Sequence, residues 1–203
     1  PRMVMTMKRK GLKIFYDAKF YDIPQTVYNA CHEATRHGVN MINVHASGGV
    51  KMIQYAKAAV EEASSKMQIE RPLLLAVTVL TSMENKDIKA IYRTASGTKD
   101  MVLHLAGLAK KGGADGVVCS PWETKMIRQE FGKDFVIVTP GIRPAKIKKD
   151  DQKRIMTPKE AIEQGADYIV VGRPILQADD RVDTAQKIIK QIQEGCQNGR
   201  KKS

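Results

Sequence analysis

One short segment near the start of the chain sets the fold: Lys13-Ile14-Phe15-Tyr16-Asp17-Ala18-Lys19-Phe20-Tyr21-Asp22-Ile23-Pro24. Its apolar and aromatic first half is typical of a β-strand, and Pro24 is suited to the first turn of a helix. Asp17 and Lys19 lie two residues apart, so on a strand they point to the same face, and Asp22 follows where the chain must turn. Charges at the end of a buried strand are costly unless they are paired. The group is therefore either a structural ion pair or part of a catalytic array.

Length and composition indicate a single domain over residues 1–203, long enough for a sizeable apolar core. No apolar run approaches the roughly 20 residues of a membrane span, and the first residues lack the apolar region of a signal peptide. The three cysteines (Cys31, Cys119 and Cys196) are scattered and show no spacing typical of metal ligands. We therefore predict a reducing, cytoplasmic location, no membrane contact and no metal site.

The chain is strongly basic, with a formal charge of +12 and a pI near 9.6. Its lysines and arginines are spread along the sequence, with local clusters at 8–10, 146–149 and 200–202. No stacking aromatic residues are interleaved with them, and no helix-turn-helix, RRM or KH pattern is present. We predict that the anionic partner is a phosphorylated small molecule and not a nucleic acid.

Short apolar strands alternate with helical segments along the chain. We predict strands at about 12–19, 40–45, 73–79, 116–119, 135–139 and 168–171, and helices at about 2–10, 24–37, 49–64, 98–111, 121–131, 158–164 and around 182–192. Six strand–helix units indicate a parallel sheet. A parallel sheet forms either a barrel or a doubly wound sheet. The sequence contains no G-x-G-x-x-G or Walker A motif, which are typical of nucleotide-binding doubly wound sheets. Polar or glycine-bearing residues instead follow nearly every strand. This pattern predicts an α/β fold of the (β/α)₈ TIM barrel class, two units short of eight.

Two segments after the last two predicted strands are candidates for phosphate binding. Residues 140–143 end in Gly141-Ile142-Arg143, and Gly172-Arg173 follows the sixth strand. Glycine lets the backbone approach an anion closely, and the arginine fork matches phosphate oxygens. Gln152 lies on the loop between them and could add a donor. One such segment alone would be an ordinary turn, but barrels commonly bind phosphate at these two strand ends.

Other polar residues at strand ends carry weaker signals. His45 has no second ligand at metal-binding spacing, so we interpret it as a hydrogen-bonded residue at a strand end. The segment from Cys119 to Glu123 lacks a nearby base and indicates a core cysteine followed by the start of a helix. Thr81 could offer its hydroxyl to a ligand or serve only in a turn.

Taken together, these residues resemble the orotidine 5′-monophosphate decarboxylase family, most closely its bacterial branch. Residues 17–26 match its D-x-K-x-x-D-I-P-x-T signature, whereas related families with D-x-K-x-x-D typically continue with D-A-G. The resemblance extends over essentially the whole chain, through residues 43–49, 77–82, 115–120, 138–144, 151–154 and 170–174.

The resemblance implies a homodimeric (β/α)₈ barrel that converts orotidine 5′-monophosphate to uridine 5′-monophosphate and CO₂, the last step of de novo pyrimidine biosynthesis. It implies no metal and no organic cofactor. By resemblance, Lys19 is the general acid that delivers a proton to pyrimidine C6, Asp17 lies beside the substrate carboxylate, and Asp22 reaches into the partner's site.

The resemblance also implies a wider set of substrate-binding residues. Ile23, Pro24 and Thr26 would contact the ligand just after the first strand, and Thr81 would meet it near its base. The phosphate would be held by Arg143, Gln152, Gly172 and Arg173.

The chain departs from the family pattern at its amino end. The family's first two strands carry an aspartate and a lysine that have no counterpart here, since Lys8 and Lys10 lie on the predicted basic helix. We therefore expect two missing barrel strands, and either an upstream segment in the natural protein or an inactive product. Two alternatives stay open, namely a magnesium-dependent sugar-phosphate lyase of the same superfamily and a non-catalytic nucleotide-binding remnant.

Overall fold

In the computed structural model, residues 2–144 and 154–200 are described. The helices are α1 (Arg2–Arg9), α2 (Pro24–Arg36), α3 (Gly49–Met67), α4 (Asn85–Tyr92), α5 (Thr98–Lys111), α6 (Thr124–Phe131), α7 (Pro158–Glu163), α8 (Arg173–Leu176) and α9 (Arg181–Arg200). The strands are β1 (Phe15–Phe20), β2 (Met41–His45), β3 (Leu73–Val77), β4 (Gly116–Val118), β5 (Val136–Thr139) and β6 (Tyr168–Ile169). No helix in these ranges is both long and apolar enough to cross a membrane.

The protein has an α/β fold, as predicted. The strand order in the sheet follows the chain from β1 to β6, and β1–β2, β2–β3 and β5–β6 pair in parallel. Strand β2 pairs with β3 in unbroken register, from Met41 opposite Leu73 to His45 opposite Val77. Four of the five residues of β3 are buried, as expected for a parallel strand covered on both faces.

The chain divides into two compact units. The first comprises the residues up to Thr78 together with His104–Val117, and the second comprises Val79–Leu103 with the residues from Val118 onward. The prediction of a single barrel domain with two absent strands stays a prediction.

Helices α2 and α3 form much of the core of the first unit. Val27 and Cys31 of α2 are buried, as are Ile53, Ala56 and Val60 of α3. Their apolar side chains recur at helical spacing and leave water together, which is the main source of stability for such a pair.

A buried apolar cluster of the second unit lies beside α7 and β6. Ile142, Ala161 and Ala166 form a buried cluster that also packs against Ile169. Gly195 of α9 allows the close approach of this helix to α7, because a Cβ at this position would lie 2.8 Å from the carbonyl oxygen of Lys159.

The first residues of the strands are joined by a repeated pair of hydrogen bonds. In each pair, the backbone N–H of an Asn or Asp donates to the carbonyl of a residue on the preceding strand segment. The side chain of the same Asn or Asp accepts the N–H of that residue. In the order of the pairs named next, the first bond measures 2.8, 2.8 and 3.0 Å, and the second measures 2.9, 2.7 and 2.7 Å. The pairs are Asn40 with Ile14, Asp115 with Leu74 and Asp167 with Ile137. The Asn or Asp before β2, β4 and β6 therefore adds one side-chain hydrogen bond to the backbone pairing of that strand with the strand before it.

Replacing Asp115 by asparagine should destabilise the protein at neutral pH. Burial alone would raise the pKa of this carboxyl, but the N–H bonds of Arg71 and Leu74 and the charges of Arg71 and Lys57 outweigh it, so the pKa lies below its ordinary value of 3.8. Its ionised form therefore stabilises the fold above pH 3.8, and this contribution is lost as the pH falls through the lower folded-state pKa. We expect a loss of about 1.5–3 kcal/mol at neutral pH, the range for a hydrogen bond to a charged group.

Chemical denaturation of wild type and Asp115→Asn at neutral and acid pH measures this effect. The difference between them should shrink in acid. Asp183→Asn is the matched control, because its exposed pair with Lys187 on α9 should contribute little. A difference of equal size at both pH values would contradict the assignment.

Most predicted elements are confirmed within a few residues, but α4 and α8 were not predicted. Helix α4 begins after Glu84, whose N–H donates to the Asp87 carboxylate at 2.8 Å. Because two acidic residues form this cap, the sequence of the segment predicts a polar connection and not a helix. The capping box of Thr157 and Glu160 at the start of α7 was predicted and is confirmed.

Candidate functional site

The predicted charged group lies at the carboxyl end of β1. Lys19 Nζ is 2.7 Å from both Oδ1 and Oδ2 of Asp17. The Lys19 side chain is 39% exposed and that of Asp17 is 48% exposed. An ion pair this accessible adds little stability. Because Nζ contacts both carboxylate oxygens and both side chains are accessible, the arrangement favours a role toward a ligand over a purely structural one.

The backbone of β1 is irregular at this ion pair. Between Tyr16 and Phe20 the register shifts, so that three residues of β1 lie opposite a single residue of β2, Asn43. Lys19 lies within this bulge at φ +51°, a left-handed conformation that costs a non-glycine residue about 1–2 kcal/mol. The two-residue strand spacing predicted that Asp17 and Lys19 share a face, and it is the bulge that brings their charged groups together.

Asn43 links both charged residues. Its side chain is fully buried, its Oδ1 accepts the backbone N–H of Lys19 at 2.7 Å, and its Nδ2 donates to Asp17 Oδ1 at 2.6 Å. Asn43 belongs to the segment 43–49 that resembles the family, but the sequence pattern assigns it no role. The available signal was one polar residue inside the apolar run of β2.

The other predicted residues of this region lie on the turn between β1 and α2. Asp22 Oδ1 accepts the N–H of Ile23 at 2.7 Å, and Pro24 opens the helix. Ile23 is 68% exposed, and Thr26 donates its N–H to the Ile23 carbonyl at 3.0 Å. Among the residues with assigned positions, Asp17 and not Asp22 forms the ion pair with Lys19.

His45, at the end of β2, has its pKa shifted in the direction that favours the neutral imidazole. Burial lowers its pKa, as does the nearby charge of Lys19, and the carboxylate of Asp17 offsets this only in part. Its ring lies 5.7 Å from the ring of Tyr21, and its hydrogen-bonded role stays a prediction.

In the second unit, Thr81 lies on the turn after β3, and Arg154 holds this turn in place. The guanidinium donates from Nη2 to the Leu80 carbonyl at 2.8 Å and from Nε to the Thr81 carbonyl at 3.5 Å. Its Nη1 donates to Glu123 Oε1 at 2.5 Å. The main chain at the predicted ligand-contacting threonine is therefore fixed by a buried ion pair.

Glu123 and Arg154 are 2% and 6% exposed. Burial raises the pKa of the Glu123 carboxyl, and the charge of Arg154 counteracts this. We had interpreted Glu123 as part of a helix start, which is correct for its backbone, since α6 follows it directly. The sequence carries no local signal for a pair separated by so many residues.

The predicted phosphate segments lie at the ends of the last two strands. Arg143 is only 5% exposed; its Nη1 donates to the Ile142 carbonyl at 2.9 Å and its N–H donates to the Met156 carbonyl at 3.0 Å. Gly172 precedes α8, and Arg173 is the first residue of that short helix. Gln152 lies outside the described residues.

The part of the chain with assigned positions contains no group of three or more His, Cys, Asp or Glu side chains able to hold a metal ion. The predicted site residues offer an ammonium, carboxylates, guanidinium groups and hydroxyls. This set suits an anionic substrate.

Comparison with known proteins identifies the family. The model of the orotidine 5′-phosphate decarboxylase / HUMPS family matches residues 1–188. Orotidine 5′-phosphate decarboxylase of Pelobacter propionicus is 46% identical over 196 residues, which cover 97% of this chain and 80% of the relative. That of Legionella pneumophila is 44% identical over 95% of this chain and 82% of its own length.

Solved structures agree with the sequence matches. The crystal structure of orotidine 5′-phosphate decarboxylase from Lactobacillus acidophilus superimposes with a TM-score of 0.81 at 41% identity, covering 93% of this chain and 79% of that one. The enzyme from Pyrococcus horikoshii, at 21% identity and a TM-score of 0.68 over 94% of this chain and 80% of that one, supports the fold. The extent of these matches shows that the chain belongs to the orotidine 5′-phosphate decarboxylase / HUMPS family.

Proposed function

We propose that this protein is an orotidine 5′-monophosphate decarboxylase that releases CO₂ from the nucleotide to form uridine 5′-monophosphate. The observation that carries the proposal is the ammonium of Lys19, held on the Asp17 carboxylate at the end of β1. Membership of the family and the names of the similar relatives support it.

The proposed chemistry uses the positive charge of Lys19. Breaking the bond between C6 and the carboxylate releases CO₂ and leaves its electron pair on C6. A fixed ammonium beside C6 stabilises that developing carbanion more than it stabilises the substrate, which lowers the barrier. Lys19 Nζ then gives a proton to C6, and the neutral amine recovers a proton from water.

Asp17 would act on the other side of the breaking bond. Its carboxylate lies beside the substrate carboxylate in this proposal and disfavours the charged ground state, while also holding the ammonium in place. Ile23, Pro24, Thr26 and Thr81 would line the site around the nucleotide.

The phosphate would be bound away from the reacting bond. We propose that Arg143, Gln152, Gly172 and Arg173 hold it, because arginine forks and exposed glycine backbone suit phosphate oxygens. Binding energy from this remote group would orient the pyrimidine at Lys19.

We further propose a (β/α)₈ barrel of which this chain lacks two strands, a homodimer in which Asp22 enters the partner's site, and a cytoplasmic role in de novo pyrimidine biosynthesis. The proposed reaction uses no metal and no organic cofactor. The family likeness supports the barrel, and the dimer rests on the resemblance of residues 17–26 to the family signature.

The test is an absorbance assay for loss of orotidine 5′-monophosphate, run with and without EDTA. We expect turnover that EDTA does not change. The matching family description also includes HUMPS, which keeps a magnesium-dependent sugar-phosphate lyase as a second candidate. Turnover of a sugar phosphate that EDTA abolishes would favour that lyase, and binding of uridine 5′-monophosphate without turnover would favour a non-catalytic remnant.

A shared site makes a specific prediction for mixed dimers. Asp22→Ala and Lys19→Ala should each be nearly inactive, but a co-expressed mixture should recover about a quarter of wild-type activity. Half of the dimers in a random mixture are hybrids, and each hybrid retains one of its two sites intact. Turnover should be measured against each variant alone, and a mixture no more active than the variants would contradict the role of Asp22.

A further inference from the structure

Asn43 occupies the point where β1 departs from regular pairing. Three residues of β1 lie opposite this one residue of β2, so regular backbone pairing is interrupted there. The N–H of Lys19 is satisfied by Asn43 Oδ1 at 2.7 Å. A buried side chain therefore takes the place of a strand partner.

The two bonds fix which end of the amide faces which residue. A backbone N–H can only donate, and an ionised carboxylate can only accept. Oδ1 therefore faces Lys19 and Nδ2 faces Asp17, at 2.6 Å from its Oδ1. Aspartate at this position would keep the acceptor and lose the donor, and alanine would lose both.

The result is a closed set of contacts around the reactive ammonium. Asn43 holds the backbone of Lys19 at φ +51° and holds the carboxylate of Asp17, which in turn holds Lys19 Nζ at 2.7 Å. Because Asn43 is fully buried while both charged side chains are accessible, it is the rigid member of the three.

We propose that Asn43 is the positioning residue that sets the left-handed turn at Lys19 and aims the Lys19–Asp17 pair at the substrate. This inference rests on the proposed function for its catalytic consequence. Asn43 itself does not touch the reacting atoms. A displacement of about 1 Å at a reacting group can cost about 100-fold in rate.

The experiment compares Asn43→Ala and Asn43→Asp with Asn40→Ala. Asn40 is the matched control, because its Oδ1 accepts the N–H of Ile14 at 2.9 Å just ahead of the same strand. Turnover is expressed per folded site, counted by titration with uridine 5′-monophosphate. Amide hydrogen exchange at Lys19 is measured by NMR on the same samples.

Asn43→Ala should lower kcat by about 100-fold with little change in nucleotide affinity, and should speed exchange of the Lys19 N–H at least about tenfold. Asn43→Asp should keep that N–H protected but still lose kcat, because two carboxylates then face each other. Asn40→Ala should keep kcat within about twofold.

An unchanged kcat in Asn43→Ala, an unchanged Lys19 exchange rate, or an equal loss in Asn40→Ala would each overturn the proposal. Wild type that binds the nucleotide without turnover would count against the proposed function. In that case the exchange measurement alone decides whether Asn43 positions Lys19.

Discussion

Replacing Lys19 by alanine should reduce turnover of orotidine 5′-monophosphate by about 10⁴-fold, because the proton donor and the charge that stabilises the C6 carbanion are lost together. Binding of uridine 5′-monophosphate should persist, since the residues proposed to hold the phosphate are unchanged. Steady-state kinetics and a binding titration on the same preparation measure both effects.

Two further variants distinguish the loss of positive charge from the loss of proton transfer at Lys19, and both from a nonspecific effect of replacing a lysine. Lys19→Arg keeps the positive charge but cannot give up its proton, so it should remain nearly inactive. Lys13→Ala removes an exposed lysine ahead of β1 and should behave as wild type. Turnover by Lys19→Ala within tenfold of wild type would exclude Lys19 from the chemistry.

Replacing Arg173 by alanine should raise KM by roughly 10- to 100-fold, the loss expected when charge-assisted hydrogen bonds to a phosphate are removed. Arg173→Lys should give an intermediate KM, because lysine keeps the positive charge and lacks the planar guanidinium fork of arginine. KM for the nucleotide is the measurement.

Arg181→Ala is the control for Arg173, since Arg181 is an exposed arginine at the start of α9. It should leave KM unchanged. If Arg173→Ala shows wild-type KM, the phosphate assignment at the end of β6 is refuted.

The order of strands and helices could be predicted because each element carries a local signal. The apolar run of β3 and the proline that opens α2 are examples. The signature around Asp17 and Lys19 also identified the charged group from sequence alone, since the two residues are close along the chain.

Features that depend on distant contacts were not predictable. The left-handed backbone of Lys19 arises from a register shift against β2, which no pattern within β1 reveals. The ion pair of Glu123 and Arg154 joins residues far apart in sequence, and charged residues are usually exposed. The sequence therefore predicted the charged pair of Asp17 and Lys19, whereas the residues that hold it required the structure.

A crystal structure with bound uridine 5′-monophosphate tests the central claim most directly. The account predicts Lys19 Nζ within about 3–3.5 Å of pyrimidine C6, the distance of a near-attack geometry, with the phosphate on Arg173. A nucleotide whose C6 lies beyond the reach of Lys19 would contradict it.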